Sequence, residues 1–318
     1  MQRIDPQAAS CAVPDLGTFS ALWAGECAPQ WKASYRETVA CTLRLWILSA
    51  LGHWRVDTID RAAVLAFRVA VVGHARGPSP ARINKILMML GACLRESARR
   101  HGHPDPLEGL KALRMAGRDI QPFSLDEVSR ILACAEPHWR DYYLVRIFTG
   151  LRTGEIDGLQ WRYVDLERRE LLVRETLVAS RPDTPKTRAS ERCVDLVPAV
   201  CAALARQFAR TGGQGGYVFT TTNGQPLRHG NVRRRVWLPL LARAALAVRR
   251  PYETRHTFAT LMLAAGENPE YIRRQMGHRN SEMLFTVYAR YVRNLTRRDG
   301  SAFEAIVADS LGPAGATS

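Results

Sequence analysis

From Phe19 to about Ala98 the apolar residues recur at helical spacing, and each run is closed by Pro, Gly or Asp. This pattern constrains the fold of the first third of the chain more than any other feature. "TFSALWAGECAP", "WKASYRETVACTLRLWILSAL", "RAAVLAFRVAVVGHA" and "SPARINKILMMLGACLRESARRHG" read as successive helices. In the last, Ser79 caps a helix with Pro80 in its first turn, and Ile83, Ile86, Leu87 and Leu90 fall on one face. Residues 17–115 are therefore expected to form a small all-helical domain, preceded by an irregular stretch over 1–16.

The linker "HPDPLEGLKALRMAGRDIQP" leads into a second domain, expected over 116–300. It opens at "SLDEVSRILACAEP", where Ser124 caps and Glu127 completes a capping box. "WRDYYLVRIFTGLRTGEIDGLQW" then reads as one helix. Beyond Trp161 the period shortens, and "ELLVRETLV" and "ERCVDLVP" read as strands flanking the basic turn "RPDTPKTRAS". From Pro198 the pattern is helical again to about Leu311. The tail, 301–318, places Phe303, Ile306 and Val307 on one face, suited to docking on a neighbouring subunit or on its own domain. The expected fold class is mainly α with a small antiparallel sheet.

Charge narrows the partner. Lys plus Arg number 45 against 30 acids, a net +15, which favours a polyanion: nucleic acid first, an acidic membrane surface second. Residues 228–250 carry seven arginines and no acid, while Val236, Trp237, Leu238, Leu240 and Leu241 give the same segment a face that must pack. Arg228, Arg233, Arg234 and Arg235 are the candidate phosphate contacts on the other face. No apolar run reaches membrane-spanning length, since Arg68 interrupts the best one, and the N-terminus lacks a signal-peptide core. Seven scattered cysteines without C-x-x-C spacing read as buried free thiols in a reducing cytoplasm.

Four short segments carry chemistry. "PYETRHTFATLMLAAG" starts a helix that Thr254 can cap, with Phe258, Leu261, Met262 and Ala265 at helical spacing and Gly266 as a stop. Arg255 and His256 then sit in its first turn, where a positive charge opposes the helix dipole unless an anion is expected. "LRTGEIDGL" sets Arg152 beside Gly154 and Glu155; Lys186 lies in the turn between the strands. "RRQMGHRNSEMLFTVYARYV" gives His278 after the helix stop Gly277, then Tyr288 on a new helix that Ser281 can cap. Each segment has an ordinary structural account. Two arginines, a lysine, a histidine and a tyrosine in this order make a phosphotransfer set.

On these residues the chain resembles the tyrosine recombinase family, the phage-type integrases, over roughly 17–300. That family's boxes read R-x-G-E, H-x-x-R-H and L-G-H followed by a tyrosine; R152-T-G-E155, R255-H256, G277-H278 and Tyr288 match them. The resemblance implies a helical core-DNA-binding domain and a catalytic domain that together clamp double-stranded DNA. It implies Arg152 and Arg255 on the scissile phosphate, Tyr288 as nucleophile, Lys186 as general acid and His278 as a hydrogen-bond donor to the phosphate. Glu155, Tyr252 and His256 would support them. It further implies a homo-tetramer on two DNA sites, an accessory DNA-bending or directionality protein, no metal and no cofactor. No glycine-rich phosphate loop and no acidic cluster for Mg²⁺ stands out, in keeping with a covalent intermediate that conserves the phosphodiester.

Two departures stand out. Tyr252 occupies the first histidine position of H-x-x-R-H, which makes it a hydrogen-bonding group that does not titrate near neutrality; His256 beside it then reads either as a stand-in base or, as the resemblance implies and as is favoured here, as a structural tie. Tyr288 lies ten residues after His278 instead of about nine, with Tyr291 as its rival. A type IB topoisomerase would share the chemistry without exchanging strands between sites; a DNA-binding regulator would keep its function without Tyr288.

Overall fold

The computed structural model describes residues 12–115, 119–178, 181–183, 191–212, 216–278 and 282–288. The chain divides into two compact units, residues 1–118 and 119–318.

The first unit is helical among its described residues. Asp15 caps α1 (Leu16–Cys27) by accepting from the Thr18 N–H. α2 (Ala33–Thr42) runs through a π turn, Leu43–Ile47, into α3 (Leu48–Leu51). Asp60 caps α4 (Arg61–Val72), and Ser79 caps α5 (Pro80–His101), which stops at left-handed Gly102. Ile83, Ile86, Leu87 and Leu90 are buried, and with Leu16, Phe19, Ile47 and Val64 they form this unit's core. All four expected helical stretches are present.

In the second unit the reciprocal Ser124–Glu127 capping box starts α6 (Leu125–Cys134). The single helix expected over 139–161 is two helices, α7 (Pro137–Thr149) and α8 (Thr153–Asp157). Gly150 parts them at φ 62°, and a Cβ there would lie 2.5 Å from the Phe258 ring, so only glycine fits the turn. Strands β1 (Val164–Asp165), β2 (Glu170–Val173), β3 (Thr176–Val178), β4 (Arg181–Asp183) and β5 (Arg192–Asp195) follow. They form a three-stranded antiparallel sheet, β1-β2-β5, and a separate β3-β4 pair. The strand expected across 170–178 breaks in two. At the break Glu175 turns to accept hydrogen bonds from Gln160, Arg162 and Tyr163. β3 then runs so close to α8 that a Cβ on Gly154 would meet Thr176 Oγ1 at 2.3 Å.

After α9 (Pro198–Thr211), described residues 216–228 are not helical as expected; they carry the bridges Gln160↔Tyr217 and Thr220↔Pro226. α10 (His229–Val232), a π turn (Arg233–Trp237) and α11 (Leu238–Arg243) then run on as one rod, burying Trp237, Leu240 and Leu241. Among the described residues the last three helices are α12 (Glu253–Ala264), α13 (Pro269–Met276) and α14 (Glu282–Tyr288). Two hydrophobic clusters hold this unit. The larger spans α6 to α11; the smaller joins Ile120, Phe258, Leu263, Ile272, Met276, Leu284 and Tyr288.

The expected burial of the thiols holds for Cys93 but not for Cys41 and Cys193, which lie on the outward faces of α2 and β5. No helix among the described residues is long and apolar enough to cross a membrane.

Candidate active site

The site is built where α13 ends. A helix C-terminus leaves carbonyls without intrahelical donors and carries negative partial charge, so it attracts cations. Gly277, at φ 65°, turns the chain there. Three consecutive carbonyls each receive one arginine from a different element. Gln275 O accepts from Arg192 Nε at 2.6 Å, Met276 O from Arg255 Nη2 at 2.6 Å, and Gly277 O from Arg152 Nη2 at 2.9 Å. Residues distant in sequence, on α8, β5 and α12, thus converge on one strip of backbone.

One carboxylate orders the guanidinium groups. Glu155 accepts from the Arg152 N–H and from Arg152 Nη1, both at 2.8 Å, and from Arg192 Nη2 and Nη1 at 2.8 and 3.1 Å. Burial pushes the Glu155 carboxyl up, but bonding to Arg192 and the charges of Arg192, Arg152 and Arg255 outweigh it and bring it down to about 2. Arg255 is buried, and Gly150 O also accepts from its Nη1 at 2.6 Å. Burial first, then the neighbouring Arg152, lowers its guanidinium to about 10, so it stays charged at neutral pH. Its two bonds use two of five N–H donors. Among the described residues, Arg152 and Arg192 share the Glu155 carboxylate beside buried Arg255, a partly desolvated cationic site of the kind that suits an oxyanion.

Thr254 does not cap α12 as expected. The helix begins at Glu253 with Tyr252 in the cap position, and Thr254 Oγ1 instead donates to Pro251 O and accepts from Arg146 Nε. Arg146, fully buried on α7, also donates to Tyr142 Oη at 2.9 Å, Thr153 Oγ1 at 2.6 Å and Pro251 O at 3.2 Å. It thereby fixes the start of α8 against the start of α12, and so Arg152 against Arg255. Sequence reasoning missed both Arg146 and Arg192. Each left a signal: Arg146 interrupts the apolar run "YYLVRIF", and alternation puts Arg192 on the same strand face as buried Val194.

His278 follows Gly277 directly and is 8% exposed, and among the described residues its Nδ1 has no hydrogen-bond partner. Burial, then Arg255, Arg152 and Arg192, depress it to about 3, so it is neutral in the folded chain at pH 7. The unfolded chain binds the extra proton between about pH 6.5 and 3, so stability falls as pH drops through that window. Glu155 adds a second loss below about 4.5. We expect the melting temperature to decline from pH 7 to 4, and His278→Asn to flatten the upper part of that decline. An unchanged profile in the variant would remove His278 as its source.

Tyr288 lies on α14 with its ring in the small core, and its Oη is 2.8 Å from His256 Nδ1. Burial raises its phenol above the usual range, with Arg255 opposing. Tyr252 is 42% exposed and meets the His256 ring edge-on at 5.1 Å between centroids. Removing its hydroxyl leaves every bond of the arginine cluster in place. For the phosphotransfer chemistry expected from the sequence, Tyr252→Phe should slow the reaction by less than about tenfold, and Arg255→Ala by about 10²–10³ or more, on the scale of losing one oxyanion donor. Equal losses in single-turnover rates would show that Tyr252 does more than this geometry assigns it.

Lys186, Ser281, Tyr291 and the tail over 301–318 lie outside the described residues. Arg228, Arg233, Arg234 and Arg235 are exposed on or just before the α10–α11 rod and take no part in the arginine cluster. Two further arginines of that segment are engaged elsewhere: Arg249 forms a two-point ion pair with Glu127, and Arg243 Nε donates to Cys134 O. Among the described residues one trio, Glu170, Cys193 and Asp195, has ligand atoms within 4.8 Å of one another, with Asp195 already bonded to Gln275 Nε2.

The phage integrase family model matches residues 122–294. The chain is 30% identical over 215 residues to putative defective protein IntQ of Escherichia coli K12, covering 59% of this chain and 54% of that protein. It is also 30% identical over 211 residues to prophage integrase IntR of the same strain, covering 59% and 51%. The chain thus spans about half the length of these curated relatives. The fold resembles the Tn1549 transposon integrase in complex with a circular intermediate DNA, with a TM-score of 0.75 at 19% identity over 92% of this chain and 99% of that one. A lambda integrase dimer bound to a core site gives 0.68 at 16% identity, over 86% and 95%. The matched span holds both arginine boxes, His278 and Tyr288, and on it the chain belongs to the phage integrase family, the tyrosine recombinases.

Proposed function

We propose that the protein is a site-specific DNA recombinase that cuts and rejoins strands through a 3′-phosphotyrosyl intermediate, acting as the integrase or excisionase of a prophage or other mobile element. The observation that carries this reading is the convergence of Arg152, Arg192 and Arg255 on the end of α13, beside a buried tyrosine whose hydroxyl is held by a histidine. Arg152 and Arg255 would bind the non-bridging oxygens of the scissile phosphate, and their hydrogen bonds would strengthen as charge grows in the transition state. His278, neutral and buried, would give the phosphate an uncharged hydrogen bond. Tyr288 would attack phosphorus, and Lys186 would protonate the departing 5′-oxygen. Glu155 and Arg192 keep Arg152 in place without touching DNA.

Double-stranded DNA is the substrate in this reading, with Arg228, Arg233, Arg234 and Arg235 on backbone phosphates and binding that weakens steeply with salt. A homo-tetramer on two sites follows from the need to exchange strands between duplexes. The lambda integrase has been solved as a tetramer bound to a Holliday junction. An accessory bending or directionality protein and a cytoplasmic, nucleoid-associated location belong to the same reading.

The test is a covalent trap. The full chain is incubated with fragmented genomic DNA in chelator without ATP, denatured, and its attached DNA ends sequenced. Adducts at one recurring sequence support the reading. Tight binding without adducts would replace it with a DNA-binding regulator.

A further inference from the structure

The proton of the Tyr288 phenol must leave as the phosphotyrosyl bond forms, and the group that takes it has to touch Oη. We propose that His256 is that base, an inference that rests on Tyr288 being the nucleophile. The contact is direct: His256 Nδ1 lies 2.8 Å from Tyr288 Oη, with the two rings 5.6 Å apart between centroids. Position 252, one turn earlier on the same face of α12, holds a tyrosine whose ring only meets the His256 ring edge-on. Imidazole is the side chain suited to cycling a proton near neutral pH.

The surroundings suit the role. Among the described residues, the charged and titratable groups around His256 are Glu253 and Arg255 on its own helix, Tyr252 in the cap position, Tyr288 on α14 and His278 beyond α13. Burial and Arg255 lower the imidazole, and Glu253 opposes them. A neutral imidazole has one acceptor nitrogen. With the Tyr288 O–H donating to Nδ1, the ring proton sits on Nε2. The buried phenol, raised above its ordinary range, stays protonated until that transfer.

The step balances. Tyr288 Oη bonds phosphorus, the bond from phosphorus to the 5′-oxygen breaks, and the phenolic proton moves to His256 Nδ1 to give imidazolium. The 5′-oxygen takes its proton from the general acid assigned above to Lys186. On rejoining, the 5′-hydroxyl attacks phosphorus, its proton returns to the general acid, and imidazolium reprotonates the departing phenolate. His256 is restored in each cycle, and no co-reactant is consumed.

A side chain that merely held the ring would give a loss independent of pH, which separates the two roles. The experiment is single-turnover cleavage, from pH 6 to 10, of a nicked duplex carrying the sequence recovered from the wild-type adducts. Wild type, His256→Asn and His256→Ala are compared, with DNA affinity and melting temperature measured alongside. Asparagine can still hydrogen-bond the phenol but takes no proton. The expected result for His256→Asn is unchanged affinity and cleavage about 10²–10⁴ slower at pH 7. Its rate should climb about tenfold per pH unit as hydroxide takes over, while the wild-type rate levels off. Added imidazole should restore part of the His256→Ala rate, which serves as the readout if the asparagine variant folds poorly.

A wild-type-like rate in His256→Asn, or a loss by the same factor at every pH without imidazole rescue, would overturn the proposal and leave His256 as a positioning residue. Wild-type protein that forms no adduct would overturn the recombinase reading itself. The two failures are therefore distinguishable.

Discussion

Tyr288→Phe is expected to abolish covalent DNA adducts while DNA affinity stays within about twofold, because in the recombinase reading proposed above the substitution removes the nucleophilic hydroxyl and no charged phosphate contact. The phenyl ring keeps the volume that packs with Leu284, Met276 and Phe258, so the small core around α12, α13 and α14 stays filled. What disappears is one hydroxyl and its bond to His256 Nδ1. Removing a nucleophile costs on the order of 10⁴–10⁶ in rate, against about 1 kcal/mol of stability for one hydrogen bond. Chemistry and folding therefore separate cleanly in this variant. Adduct formation is read on denaturing gels, melting by calorimetry. Tyr291→Phe is the companion and should behave as wild type. Adducts that survive in Tyr288→Phe and vanish in Tyr291→Phe would move the nucleophile three residues along the chain.

Glu155→Ala should produce the largest loss of stability at the site, about 3–5 kcal/mol, because it removes the buried carboxylate that Arg152 and Arg192 share. The carboxylate is 5% exposed and bonded to two guanidinium groups. Without it Arg192, whose side chain is 6% exposed, loses two bonds to this carboxylate while lying beside Arg152 and Arg255 of the same sign. The second unit should melt at lower temperature, and the cleavage proposed above should fall with it. Glu155→Gln should lie between the two, since it keeps the shape and some hydrogen bonds but not the charge. A melting temperature within a degree of wild type for Glu155→Ala would mean that the three arginines need no internal anion.

The order of the boxes and the helical character of the first unit were legible in the linear pattern. Periodicity and caps are local, and Asp15, Ser79, Ser124 and Asn268 each bond within their own turn as helix N-caps do. Breaks imposed by distant contacts were not legible. The long helix through Gly150 divides because Phe258 fills the space a Cβ would need, and the strand over 170–178 divides because Glu175 turns toward Gln160, Arg162 and Tyr163. Neither neighbour can be read from the local period.

The same division runs through the site. Sequence by itself determined which residue types stand where: Arg152, Glu155, Arg255, His278 and Tyr288 follow in an order that names the family. Tertiary structure alone decided what each of them faces. It set three arginines on consecutive carbonyls of α13, brought in Arg192 and Arg146 as their supports, and aimed His256 instead of Tyr252 at the phenol. The physical reason is that residue type and spacing record what a side chain can do. Its partner depends on which helix end, strand face or buried carboxylate the packed chain brings within hydrogen-bonding distance, and low local dielectric then fixes the protonation state.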